Sequence, residues 1–350
     1  NLMLFTSNFS KTLRIFFSAT LLFVSCTEFQ TNIEPDLNRI KRPEAGSQSK
    51  LFSPDGFYET IPKMPPKGYV VKKLADDVYF FSTGLYNNLF VVGAEGVLIT
   101  DPIEGAGPLL KKAVAEITDL PIRFMVYTHS HIDHIGDAYL FSEKAQIIGH
   151  KATLKQLKRY KDPHRPPPHI AFDKKYTLSF GGPKIDLIFV SEGHDMGNVM
   201  VHIPERKVLM IVDVATPKAV PFKNFSTVDL YGQILGIQRA LSLDWNIYVA
   251  GHLYRPGKRP EMKEVLDYYY AAKSANAKAM QRVRFRDVIE KTQSKDIERI
   301  FGEYYDAVGE ECYRILKKNW KQKLMGFEAF SRGHCDAWTA FHRTHKRPSR

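Results

Sequence analysis

The residues best suited to chemistry in this chain lie together in Thr128-His129-Ser130-His131-Ile132-Asp133-His134-Ile135-Gly136-Asp137. Three imidazoles and a carboxylate fall within positions 129–134, directly behind the apolar run Phe124-Met125-Val126-Tyr127. Side chains two apart in an extended segment point the same way, so His129 and His131 reach toward one cation. Asp133 and His134 continue round the turn toward a second. Neutral imidazole is a good zinc ligand and a carboxylate suits a harder neighbouring ion, so the cluster predicts a metal centre at a strand-to-loop junction.

Three further candidates each follow an apolar run of strand character. His194 follows Leu187-Ile188-Phe189-Val190, Asp213 follows residues 208–212, and His252 follows residues 247–250. Singly, each fits an ordinary turn or cap. Together they fall where ligands converge in a layered α/β protein, at strand ends facing one crevice.

The order and spacing of these seven residues resemble the metallo-β-lactamase superfamily. Its first signature matches His129, His131, Asp133 and His134 without a gap. Its third histidine matches His194 in Gly193-His194-Asp195-Met196-Gly197-Asn198, and its last matches His252 in Ala250-Gly251-His252. The aspartate that bridges two metals in its dinuclear members matches Asp213. A further aspartate that supports the metal loop from behind matches Asp101 in Leu98-Ile99-Thr100-Asp101-Pro102. The likeness runs from Tyr69 to Tyr254. It departs at Asp195, where many members carry threonine, and at Val212, where many carry glycine.

The resemblance implies an α/β fold, a four-layer αββα sandwich with a C-terminal helical appendage. It implies two divalent ions, zinc by expectation: His129, His131 and His194 on the first, Asp133, His134 and His252 on the second, and Asp213 between them. Two such ions make a hydroxide nucleophile from shared water at neutral pH, with Asp133 and Asp213 as the catalytic carboxylates. The implied reaction is hydrolysis of an ester, lactone, thioester or lactam-type small molecule. The alternatives are a dedicated β-lactamase, an iron-dependent enzyme like the persulfide dioxygenases, and a nuclease of the same superfamily.

Strand character is read in residues 78–81, 89–92, 97–100, 124–127, 185–190, 199–203, 208–212 and 247–250, with a hairpin turn at Gly93-Ala94-Glu95-Gly96. Helices are expected over residues 109–117, 151–160 and 228–241. Substrate recognition is expected from Gly84-Leu85-Tyr86-Asn87-Asn88, from residues 160–172 and from the C-terminal region. Beyond Pro256-Gly257, residues 261–286 and 297–324 are charged, nearly free of glycine and proline, and apolar at helical spacing. The expected organisation is a signal over 1–26, an irregular proline-containing tether over 27–66, the catalytic domain over 67–256 and a helical region over 257–350.

The N-terminal run from Ile15 to Val24 follows Lys11 and Arg14 and ends at Ser25-Cys26, a pattern of an export signal with Cys26 as its lipidated residue. An ordinary cleaved signal or an uncleaved anchor fits the same run. The expectation is a periplasmic or membrane-attached protein, and a cytoplasmic one if the run is no signal. The net charge of +12 favours anionic partners. Export nevertheless weighs against nucleic acid, and Lys317, Lys318, Lys321 and Lys323 read as a solvated helix face. Cys312 and Cys335 form either a disulfide or two buried thiols.

Overall fold

Unbroken apolar runs such as Val97-Leu98-Ile99 and Val208-Leu209-Met210-Ile211 fit strands covered on both faces, and the computed structural model builds two such sheets. The structure describes Glu59 and residues 62–345. The expected signal, Cys26 and nearly all of the tether lie outside them.

The first sheet runs in spatial order β1 (Val70–Ala75), β2 (Val78–Ser82), β3 (Asn87–Gly93), β4 (Gly96–Thr100), β5 (Ile122–Val126), β6 (Gln146–His150) and β7 (Ile170–Phe172). β1 to β4 are antiparallel, with Gly93 opposite Gly96 in the hairpin, and β4 to β7 are parallel. The second sheet comprises β8 (Lys175–Leu178), β9 (Ile185–Phe189), β10 (Val199–Ile203), β11 (Val208–Ile211) and β12 (Ile247–Val249), in sequence order across the sheet. Val78, Phe80, Leu89 and Val91 of the first sheet meet Leu187, Val199, Val201 and Met210 of the second in one core.

Helices cover the outer faces. α1 (Gly107–Ala115) starts at Gly107-Pro108, where a missing N–H costs nothing, and packs Leu110, Ala113 and Val114 on Ile99, Met125 and Ile147. α2 (Ile132–Ile135) is a single turn inside the histidine cluster, and α3 (Lys151–Tyr160) spans the range expected for it. α4 (Leu230–Ser242) covers the second sheet with α5 (Arg259–Arg282), α6 (Phe285–Thr292), α7 (Ile297–Trp320) and α8 (Phe327–Thr344). Leu209 and Ile211 share one core with Ile234, Ile237, Met262, Tyr269 and Trp338, giving the αββα order with further helices continuous with its last layer.

One helix boundary differs from the sequence reading. The helix expected through residue 286 ends at Arg282: Val283 takes a strand-like conformation (φ −91°, ψ 96°), and Phe285 turns to pack its ring 5.1 Å from Phe301 and 5.2 Å from Tyr304. Of the two readings of the cysteines, the structure holds the bonded one, with Cys312 of α7 joined to Cys335 of α8. No helix among the described residues is long and apolar enough to cross a membrane.

Candidate metal centre

Each of the seven predicted ligands leaves the sheets at the same end. His129 and His131 occupy the loop after β5, and Asp133 and His134 the helical turn α2. His194 lies between β9 and β10, while Asp213 and His252 follow β11 and β12. The sheets are tied together there, because Asn87 at the start of β3 takes the Gly251 carbonyl with its N–H and the Ala250 carbonyl with its side-chain amide at 3.1 Å. Asp213 itself stands at positive φ (58°), a turn that throws its carboxylate back over the strand ends.

The side chains converge in two groups, His129–His131–His194–Asp213 and Asp133–His134–His252, with donor atoms in each group within 4.8 Å of one another. Asp213 lies between them. Its Oδ2 is 3.8 Å from His129 Nε2, 3.3 Å from His194 Nε2 and 3.0 Å from His134 Nε2, and its Oδ1 is 3.2 Å from His252 Nε2. The buried Nε2 atom of His129 and Oδ1 of Asp213 lack a hydrogen-bond partner. His131 Nδ1 and His194 Nε2 face each other at 3.0 Å. Buried polar atoms without partners are costly, and facing ring nitrogens repel unless a proton or cation lies between them. The donor set therefore fits divalent cations, with nitrogen and carboxylate ligands converging on shared points.

The electrostatics carry the same signature. Burial, reinforced by the neighbouring imidazoles, holds His129 well below the usual histidine value and lowers His131. At His134 burial opposes charge, yet Asp213 outweighs it and lifts the pKa to about 9; His252 is raised by the same carboxylate. Burial opposes charge on Asp213 as well, but His134 and His252 hold its carboxyl well below the normal range. Asp213 is thus an anion that draws positive charge from both sides.

Neighbouring residues fix the ligand rings. The Asp101 carboxylate, fully buried and pushed up to about 6 by that burial, accepts from Thr128 N at 2.8 Å and Thr128 Oγ1 at 2.5 Å. Thr128 Oγ1 in turn lies 3.0 Å from His129 Nδ1, leaving Nε2 to face the centre. His252 Nδ1 lies 3.3 Å from the Leu85 carbonyl, and Tyr86 donates its hydroxyl to Asp133 Oδ2 at 3.3 Å. Gly251 is required by close approach: a Cβ there would lie 2.6 Å from Asp213 Oδ1 and 2.8 Å from His134 Cε1.

Residues 82–252 match the family model described as the metallo-beta-lactamase superfamily. This segment, just under half of the chain, belongs to that superfamily. Its fold is shared with a metallo-beta-lactamase from Pontibacter korlensis (21% identical, TM-score 0.52, covering 58% of this chain and 99% of that one) and with metallo-beta-lactamase IND-7 (19% identical, TM-score 0.51, covering 58% and 100%). Among curated proteins, the 2,4-dinitroanisole O-demethylase subunit alpha of Nocardioides sp. is 28% identical over 215 residues, 60% of this chain. The match spans 63% of that relative's length.

Within the metallo-beta-lactamase superfamily, Asp195 is the departure that the structure explains. Its Oδ2 accepts from Ser130 Oγ at 2.6 Å and Ser130 N at 3.3 Å, its Oδ1 accepts from Gly197 N at 2.8 Å, and Oδ2 lies 3.8 Å from His131 Nε2. It clasps the His129 and His194 loops to each other. Arg165, in the stretch expected to aid recognition, donates to the Ser130 carbonyl at 2.7 Å and so buttresses the same loop. For Val212 the structure offers only that it is buried in the core between the sheets. Sequence reasoning singled out neither Ser130 nor Asp195 as a supporting residue, although a serine between two ligand histidines was a signal for one.

Proposed function

We propose that this chain is a metal-dependent hydrolase acting on a small molecule held beside a two-cation centre. The observation that carries the reading is the convergence of seven donor atoms in two groups sharing Asp213, at the wall of a cavity of about 410 Å³. His129, His131 and His194 would hold one ion, Asp133, His134 and His252 the other, and Asp213 both. Bound divalent ions supply a water acidic enough to attack at neutral pH and polarise the bond under attack.

The chain's own groups do the rest. Asp213, Asp133, His131, His194 and His252 face the cavity and orient whatever enters it. The Asp133 carboxylate, aligned by Tyr86, is placed to take the proton of the attacking water at Oδ2 and return it to the leaving group. Tyr86, whose hydroxyl is pushed up to about 12 by burial and by Asp133, stays a donor throughout the working pH range.

The name of the Nocardioides relative widens the bond types to be tested to aryl ethers. The deciding experiment is metal analysis joined to an activity screen over aryl ester, lactone, thioester, lactam, phosphodiester and aryl methyl ether substrates. Two equivalents of a divalent ion and hydrolytic products support the reading; one equivalent of iron with oxygen consumption sinks it. We also infer an extracytoplasmic location, supported by the Ile15–Val24 signal pattern and by the Cys312–Cys335 bond, since disulfides persist in oxidising compartments. Fractionation of cells expressing the chain checks this.

A further inference from the structure

We propose that the cavity selects a neutral, flat, apolar substrate group, and that Phe222, Phe225 and Phe330 set this preference under the control of the C-terminal helices. The inference rests on the hydrolase reading for its chemistry, but its structural grounds are separate.

The first ground is charge. Among the described residues lining the cavity, the ionisable ones are the ligand residues themselves and Tyr86, and no lysine or arginine is present. A carboxylate, phosphate or sulfate on the distal part of a substrate would lose its hydration there without gaining a partner. A neutral group loses little.

The second ground is shape. Away from the metal ligands the wall is built from Leu85, Val220, Phe222, Phe225, Leu253 and Phe330. The rings of Phe222 and Phe330 stand 5.0 Å apart at 55°, and Phe222 is left 65% exposed at the rim. An exposed phenylalanine beside a half-buried one is a ready surface for a planar apolar group, since aromatic faces and edges pack on one another at such distances.

The third ground is the preparation of the loop that carries two of these rings. Asn224, Phe225 and Ser226 all stand at positive φ (55°, 64° and 44°), a run of left-handed non-glycine residues that must be held by its surroundings. α8 does the holding. Gly333 leaves room for Asn224, whose Oδ1 would lie 2.3 Å from a Cβ at 333. His334 donates from Nε2 to the Phe222 carbonyl at 3.0 Å and stacks on Phe225 at 4.2 Å. A strained, fully supported loop at the wall of a cavity is a preorganised recognition element. α8 also contributes Phe330, so the helical region forms part of the specificity wall.

The test uses full-length, metal-loaded protein. Hydrolysis of phenyl acetate is compared with that of 4-carboxyphenyl acetate, each corrected for its buffer rate, and binding of 1-naphthol is followed by saturation-transfer NMR in parallel. The expected result is a kcat/KM at least about tenfold higher for the neutral ester, with the preference falling by about tenfold in Phe330→Ala and in Phe222→Ala through KM, as for loss of apolar contact in a pocket. Phe330→Leu should recover part of it. Phe222 is mostly exposed, so its variant tests the idea without threatening the fold. 1-Naphthol bound by wild type and weakened in both variants, with no hydrolysis of any ester, supports the recognition site and overturns the hydrolase reading alone. Efficient hydrolysis with equal preference for the charged ester, or 1-naphthol binding untouched by both variants, overturns this inference and leaves the hydrolase standing.

Discussion

His334 gives a direct measure of how firmly the helical region is joined to the catalytic layers. Its ring is fully buried, with Nδ1 2.8 Å from the Tyr268 hydroxyl and Nε2 donating to the Phe222 carbonyl. Burial pushes its pKa from the ordinary 6.5 to about 4, against the hydrogen bonds to the Phe222 and Pro221 carbonyls that favour the proton. The unfolded chain therefore takes up a proton near 6.5 and the native one only near 4. Between these values the unfolded state binds more protons, so the contribution is complete above 6.5 and is lost as the pH falls toward 4. The interval corresponds to about 3 kcal/mol, of which roughly 2–3 kcal/mol is lost by pH 4.5. Urea unfolding of wild type and His334→Gln between pH 7 and pH 4.5 reads it out. The advantage of wild type should shrink by that amount on acidification. His342, also lowered to about 4 by burial, titrates in both proteins and cancels in the difference. A gap that stays constant across the range would refute the buried neutral imidazole and with it the clasp on the Phe222 loop.

Asp213→Ala and His131→Ala should each abolish turnover while circular dichroism stays native, and chelation should do the same reversibly, with zinc restoring activity. Asp195→Ala should lower metal affinity or activity by about 10–100-fold, the usual cost of losing a partner behind a ligand, seen by competition with a chromophoric chelator. Cys312→Ser with Cys335→Ser, or a reductant, should destabilise the protein by about 3 kcal/mol for a bridge closing 23 residues, measured as a lowered Tm. Gly251→Ala should weaken metal binding because its new methyl group meets His134 and Asp213.

The convergence of the candidate ligands was legible because metal chemistry confines residue types so tightly. His129, His131, Asp133 and His134 announce themselves in six positions, and His194, Asp213 and His252 gain meaning only as a set behind successive strands. Strands buried on both faces, β4, β10 and β11, were equally legible as continuous apolar runs. The short or half-exposed ones escaped: β1 is largely exposed along Val70-Val71-Lys72-Lys73, and β7 is three residues long. Periodicity has nothing to read in such segments. The Phe222 loop escaped for a different reason, since no local pattern encodes a left-handed run whose conformation is imposed by Gly333 and His334 more than a hundred residues later.

The C-terminal region shows where composition misleads about role. Its charges read as a solvated face, and in part they are: Lys317 and Lys321 lie 3.8 and 3.1 Å from Glu328, and Lys323 covers the Trp320 ring. The opposite faces of these helices are the informative ones. Met262, Tyr269, Trp338 and the Cys312–Cys335 bridge share the core of α4 and the second sheet. Removing residues 259–345 would uncover that sheet face, strip Phe330 from the cavity and release Phe222 and Phe225 from their support. A truncated chain should therefore be insoluble or fail to bind 1-naphthol, and a soluble, fully selective truncation would show that the sandwich alone shapes its pocket.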